Sequence, residues 1–245
     1  MSVTPLLTLA ICILVVAVLY SSVGHGGASG YLAVLALFSV SPVAFKPTAL
    51  ILNILVSAVA TFHFARAGHF SWRLFWPFAA TSIPFSFVGG TLSLAPTAYK
   101  PLLGIILLAS AYRLFFRKDC EKIHPDPVSP ALALGIGASL GFLSGLIGVG
   151  GGIFLSPLLL LLKWANAKEV SAVAALFILV NSISGLLGHI GSLQAIPTFA
   201  PILAATAFCG GITGSLLGSR HLPEMGIVRI LSVVLMIAGG KLLLV

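Results

Sequence analysis

Residues 20–31 spell YSSVGHGGASGY, from Tyr20 to Tyr31, and set four glycines, Gly24, Gly26, Gly27 and Gly30, between two apolar runs. In a helix interior each glycine costs about 1 kcal/mol relative to alanine, so a run of this density interrupts the helix. In lipid, backbone outside a helix is tolerated only where protein buries it or where it lines a wet cavity. The interruption therefore marks a place where something polar is handled. The second half of the chain repeats it. Gly148-Val149-Gly150-Gly151-Gly152, preceded by Gly141-Phe142-Leu143-Ser144-Gly145, matches Gly24-His25-Gly26-Gly27 at an offset of 148 − 24 = 124, close to half of the 245 residues.

The surrounding chain is hydrocarbon-like. Apolar residues make up 59%, charged residues only 7%, and mean hydropathy is +1.16, where an ordinary globular chain carries about a quarter charged residues. This composition implies an all-α polytopic membrane protein with the lipid bilayer as its main partner. Met1 to Thr8 holds no basic side chain and the apolar run leads straight into the glycine motif, so no cleaved leader is expected. The net charge of +8 is spread thinly over the connections, a distribution that orients a membrane protein and excludes a nucleic-acid site. Cys12, Cys120 and Cys209 form no CxxC pair, and no spacing makes a metal site, so neither a metal nor another cofactor is expected.

Apolar segments run over 5–20 and 31–41 around the first glycine loop, then 47–65, 73–93 and 101–116. After a polar linker they recur at 131–147 and 152–162 around the second loop, then 170–188, 197–218 and 226–244. Other landmarks recur with the loops. Asn53 and Asn181 are 128 residues apart, His63 and His189 are 126 apart, and Gly89-Gly90 precedes Gly210-Gly211 by 121. The expected organisation is one membrane domain, 1–245, built as a first repeat (1–116), a cytoplasmic linker (117–130) and a second repeat (131–245). Internal duplication of this kind is characteristic of transporters.

Basic residues test how the repeats are oriented. If each glycine-loop region is a re-entrant hairpin and each half then crosses three times, the second half is inverted. Arg66, Arg73, Arg113, Arg117, Lys118, Lys122, Lys163, Lys168, Arg220 and Arg229 then share one side, and Lys46, Lys100 and Lys241 the other. Ten against three obeys the positive-inside rule and puts the linker in the cytoplasm; a plain eight-span arrangement gives seven against six. The fold expected is thus two inverted repeats, each a glycine-loop re-entrant hairpin followed by three transmembrane helices, in the cell membrane.

All five carboxylates, Asp119, Glu121, Asp126, Glu169 and Glu224, fall in connections. Cation pathways commonly need buried Asp or Glu, so the partner expected is a small anionic substrate. Helix ends meeting at the glycine loops present free N–H groups and positive dipole ends to an anion. No lysine or arginine inside the membrane is placed to help them. The candidate binding residues are Ser21, Ser22, Gly24, His25, Gly26 and Gly27 from the first loop and Gly148, Gly150, Gly151 and Gly152 from the second. Asn53, Ser57, Asn181 and Ser184 join them from the following segments. The two amides either cap the broken hairpins or touch the substrate; the serines can equally bond back to their own helices. The glycines can also serve helix packing. The residues name no coupling ion and no oligomeric state.

An enzyme is not expected. Gly27-Ala28-Ser29-Gly30 has the GxSG form of rhomboid intramembrane proteases, with His189 as a conceivable base, but it precedes the first complete span and the second copy has Ile153 in place of the serine. An anion channel is the remaining alternative to a carrier.

The chain resembles the TauE/SafE family, the sulfite-exporter-like proteins also called toluene-sulfonate uptake permeases. The resemblance is carried by the G-x-G-G loops at Gly24–Gly27 and Gly148–Gly151, the asparagine-bearing segments, the central polar linker and, above all, GLIGVGGGIFLSPLL from Gly145 to Leu159. The first copy departs from it, with His25 and Ala28-Ser29 where the second has Val149 and Gly152-Ile153. The resemblance implies secondary transport of small sulfur-containing anions such as sulfite, sulfonates or sulfoacetate.

Overall fold

The computed structural model describes residues 3–38, 42–92, 100–116, 129–189 and 196–244. Every regular element in them is helical: α1 (Val3–Ser21), α2 (Ala28–Leu37), α3 (Pro42–Arg66), α4 (Trp72–Thr91), α5 (Lys100–Phe115), α6 (Pro130–Ile147), α7 (Gly152–Leu161), α8 (Ala167–Gly188), α9 (Ala200–Leu216), which runs into a π turn at Leu217–His221, and α10 (Glu224–Leu244). Six of these stretches are long and apolar enough to cross a bilayer. Most helix bounds fall within three residues of the apolar segments. The exception is α3, which begins at Pro42 rather than near Pro47; Pro47 is carried inside the helix instead of opening it. The start of α8 is also earlier than its apolar run, because Asn166 caps it, its side-chain oxygen accepting from the Glu169 N–H at 2.9 Å.

The glycine loops separate arms of unequal length. α1 has 19 residues and α2 only 10; α6 has 18 and α7 only 10. At 1.5 Å per residue the first arm of each pair is about 27–28 Å long and the second about 15 Å, half a hydrocarbon core.

In lipid no hydrophobic force pulls helices together, so close contact of small residues has to do it. Gly137, Gly141 and Gly145 form a row on α6, four residues apart. They lie against Phe78, Ser82 and Ser86 of α4, backbone to backbone. Gly210, Gly214 and Gly218 make a similar row from α9 into the π turn, against Leu14, Val18 and Ser22 in and just beyond α1. In both pairs the numbers rise together, so the helices run parallel. α4 also runs parallel to α8, where Ser82 meets Asn181 and Gly90 meets Gly188, and α3 to α9, where Val56 meets Gly211 and His63 meets Ser215. α5 and α10 run antiparallel, with Gly104 against Leu243 and Gly239 against Leu108. Large apolar side chains face outward, such as Leu7, Ile11 and Val15 along one stripe of α1, while Ser82, Ser86, Asn53, Asn181 and Ser182 are buried. The polar groups are inside and hydrocarbon is outside, as lipid requires.

Candidate functional site

The two glycine loops come together in the interior. Chain geometry forces the first contact: Gly148, Gly150 and Gly151 all have φ near +80°, and so do Gly24 and Gly27 within about 20°, so neither loop can continue its helix. Gly26 then lies so close to Asn53 that a Cβ would overlap its Oδ1. From the other half, a Cβ on Gly150 would sit 2.7 Å from Asn53 Nδ2 and 2.7 Å from Ser182 Oγ. Asn53, from α3, is thus held between the two loops.

Its hydrogen bonds fix it there. Oδ1 accepts from the Ala28 N–H, the first amide of α2, at 3.1 Å, and Nδ2 donates to Ser182 Oγ on α8 at 2.8 Å. Of the two roles open to this amide, it takes the capping one here: its oxygen occupies the acceptor position at the positive end of α2 that an anion's oxygen would take. Asn181 is held differently. Its Nδ2 donates to Ser82 Oγ at 3.1 Å and to the Phe177 carbonyl at 2.8 Å, and its Oδ1 is buried with no hydrogen-bond partner among the described residues. Such an orphan costs about 1–3 kcal/mol.

A small cavity, about the size of one water molecule, lies at this junction. Tyr20, His25, Gly26, Gly27, Ala28, Ser29 and Asn53 line it from the first half, and Val149, Ile153 and Ile178 from the second. His25 is 2% exposed, with Nδ1 3.0 Å from the Val23 carbonyl oxygen and Nε2 3.4 Å from Ser156 Oγ of α7. His25 therefore bridges the first loop to the short helix behind the second.

Not every candidate residue gathers here. Ser21 points to α9, with its Oγ donating to the Gly210 carbonyl at 3.4 Å, and Ser22 Oγ donates to the Leu19 carbonyl at 2.7 Å. Ser57 bonds back to the Asn53 carbonyl at 2.6 Å, and Ser184 donates to the Ile83 carbonyl of α4 at 2.6 Å. Ser21 and Ser184 tie helices together around the junction, while Ser22 and Ser57 bond back along their own segments. Gly24 packs on the Ser171 carbonyl of α8, Gly151 on the Phe177 ring, and Gly152 on Ile178; Gly148 ends α6.

Three partners were not singled out by the sequence. Ser182 adjoins Asn181 and could have been paired with Asn53 only by knowing that α3 packs on α8. Ser156 lies inside the glycine-rich stretch that carries the family resemblance. Lys241 is the surprise: its ammonium donates to the Ser29 carbonyl in the first turn of α2 at 3.2 Å. Its signal was an ionisable residue inside an apolar segment, which marks function by default. Ser29 itself pairs with the Tyr20 hydroxyl at 3.0 Å, and His189 Nε2 lies 3.3 Å from the Gly145 carbonyl, so each of these two is engaged elsewhere than with the other.

Comparison with known proteins agrees with this architecture. The family model described as sulfite exporter TauE/SafE matches residues 9–242. A protein of Sinorhizobium fredii described as a probable membrane transporter protein is 43% identical over 98% of this chain and 99% of its own length. Proteins with the same description from Methanocaldococcus jannaschii and Bacillus subtilis are 30% and 28% identical, over 58% and 52% of this chain and 54% and 46% of their own. No solved structure matches. These relatives are transporters by description, not enzymes, and six apolar spans make the protein a multi-pass membrane protein. The chain belongs to the TauE/SafE family of sulfite-exporter-like membrane transporters.

Proposed function

We propose that the protein is a secondary transporter of small anions, sulfite or sulfonates in chemical class, working by alternating access between two inverted repeats. The observation that carries this reading is the meeting of two glycine loops, one from each half, around Asn53. Each loop opens a short helix whose N-terminus is worth about half an elementary positive charge, so two approximately balance a monoanion. The Lys241 ammonium adds positive charge at the Ser29 carbonyl, in the first turn of α2. The proposed contacts are Gly26, Gly27 and His25 with Gly150, Gly151 and Gly152, gathered around the capping amide of Asn53.

The inverted-repeat reading has its own support. Several of the main helix contacts come in matched pairs: α1 on α9 and α6 on α4, α3 on α9 and α8 on α4, α2 on α3 and α7 on α8. α5 and α10, the last helices of the halves, pack on each other antiparallel, as a two-fold axis in the membrane plane requires. The short arms α2 and α7 suit re-entrant hairpins. A cavity closed down to one water favours a carrier over a continuous channel, since a sulfonate enters only if the loops part.

The test is binding to purified protein. Sulfite, methanesulfonate, sulfoacetate, acetate and succinate are titrated while thermal unfolding in detergent is followed. Stabilisation by the sulfur oxyanions, saturating with concentration, is expected; stabilisation by none of the five would overturn the reading.

A further inference from the structure

We infer that the anion is accompanied by a proton, carried on Nε2 of His25. This rests on the anion-transport reading above and names its coupling ion. The Val23 carbonyl 3.0 Å from Nδ1 can only accept, so Nδ1 bears the hydrogen and Nε2 is the basic atom of the neutral ring. Nε2 faces the Ser156 hydroxyl at 3.4 Å. A hydroxyl can donate or accept. In the neutral ring Ser156 donates to Nε2; after proton uptake Nε2–H donates to Ser156 Oγ. The pocket thus has a partner for either protonation state, whereas a purely structural bridge needs only one.

The charges around the ring set the coupling. α1 contributes Tyr20, α2 contributes Tyr31, which is packed in the same buried region, and α10 contributes Lys241 at the Ser29 carbonyl. From α3, α7 and α8 come only the neutral groups Asn53, Ser156 and Ser182. Among the described residues the carboxylates are Glu169 and Glu224, both in the first turns of their helices. Among the described residues no fixed anion faces the imidazole, so an imidazolium buried there costs free energy unless a negative charge enters with it. A bound monoanion in the shared cavity is that charge. Proton and anion each raise the other's affinity by the same factor, so the two load together. Valine at the matching position of the second loop, Val149, leaves one such proton site per molecule.

The balance is simple. Water on one face gives a proton to Nε2 as the monoanion binds; the loaded site is neutral relative to the empty one; both leave on the other face. Transport is then driven by a pH gradient and is indifferent to membrane potential.

The experiment uses the full chain in liposomes with labelled methanesulfonate, an anion at every usable pH that cannot ferry its own proton. A gradient of about one pH unit, acid on the side of the label, is expected to give about tenfold accumulation, the full free energy of the gradient. A protonophore abolishes it, and a potassium-diffusion potential leaves it unchanged. A pH dye records one proton per methanesulfonate. His25→Asn keeps an N–H for the Val23 carbonyl but cannot take up a proton, and His25→Gln places its amide nearer Ser156; in both, the accumulation ratio stays at one. Accumulation by either variant, or parent exchange indifferent to the pH gradient, overturns the proton site while leaving anion transport standing. Absence of any methanesulfonate exchange by the parent overturns both.

Discussion

Replacing Gly150 and Gly68 by alanine, one at a time, separates backbone strain from close approach. The two glycines share a backbone conformation, with φ of 76° and 79°. In that left-handed region a Cβ costs about 1–2 kcal/mol. Their surroundings differ completely. At Gly68, in the turn between α3 and α4, a new Cβ meets nothing within 4 Å. At Gly150 it meets Asn53 Nδ2 at 2.7 Å, Ser182 Oγ at 2.7 Å and Ile178 Cγ2 at 2.8 Å. Forcing an extra methyl into packed surroundings adds about 1–3 kcal/mol. Gly68→Ala should therefore lose about 1–2 kcal/mol and Gly150→Ala about 2–5 kcal/mol, the second figure being the sum of strain and overlap. The function should separate further. The methyl at Gly150 pushes on the amide that joins the two halves, so binding of sulfite or methanesulfonate should collapse, while Gly68→Ala binds as the parent does. Equilibrium unfolding in detergent measures the first difference and titration of the anion the second. If Gly150→Ala proves no more harmful than Gly68→Ala in both assays, the close approach of the second loop to Asn53 is not what the site depends on.

Other substitutions probe the same junction. Gly26→Val should abolish anion binding in protein that still inserts and folds, since the Asn53 side chain fills the space a side chain would need; full affinity in the variant would place the anion elsewhere. Asn53→Leu strands the Ala28 N–H, at about 1–3 kcal/mol, whereas Ser182 can turn to its own helix. It should impair transport more than Asn181→Leu, whose orphaned oxygen is removed with the amide; transport assays that rank them the other way contradict the capping role. Cysteines placed at Ser192 or Gln194 and in the 117–130 linker, in a chain whose three native cysteines are alanine, should label from opposite faces with an impermeant reagent. Ser192, Gln194 and residues 117–128 lie outside the described residues, and labelling from one face alone would sink the inverted topology.

How much of this was legible in the sequence depends on which force writes the signal. The spans were legible because apolar runs are punctuated by glycine, proline and charge, and most helix bounds fall within three residues of their runs. The pairing of helices was not. In a chain with 59% apolar residues, hydrophobic periodicity does not distinguish the lipid face from the inner one. The face that packs is marked instead by small residues at four-residue spacing, as in Gly137, Gly141 and Gly145 and in Gly210, Gly214 and Gly218. The glycine loops and Asn53 could be named together from repetition alone. That Asn53 would cap α2 and reach Ser182 follows only from α3 packing on α8, a contact between residues 129 apart. Lys241 was assigned to the outer face by its place near the end of α10; as an ionisable residue inside an apolar run it carried a signal, but which way its long side chain reaches does not show in the sequence.

Carrier action on an anion is tested most directly by counterflow. Liposomes containing the purified chain are loaded with unlabelled sulfite or methanesulfonate, and uptake of a trace of the same labelled anion is followed with no ion gradient imposed. The alternating-access account predicts saturable uptake that overshoots its equilibrium level and disappears when the vesicles are not preloaded. Uptake that rises linearly with concentration and shows no stimulation by internal anion would contradict it, and would make the protein a channel or a transporter of something else.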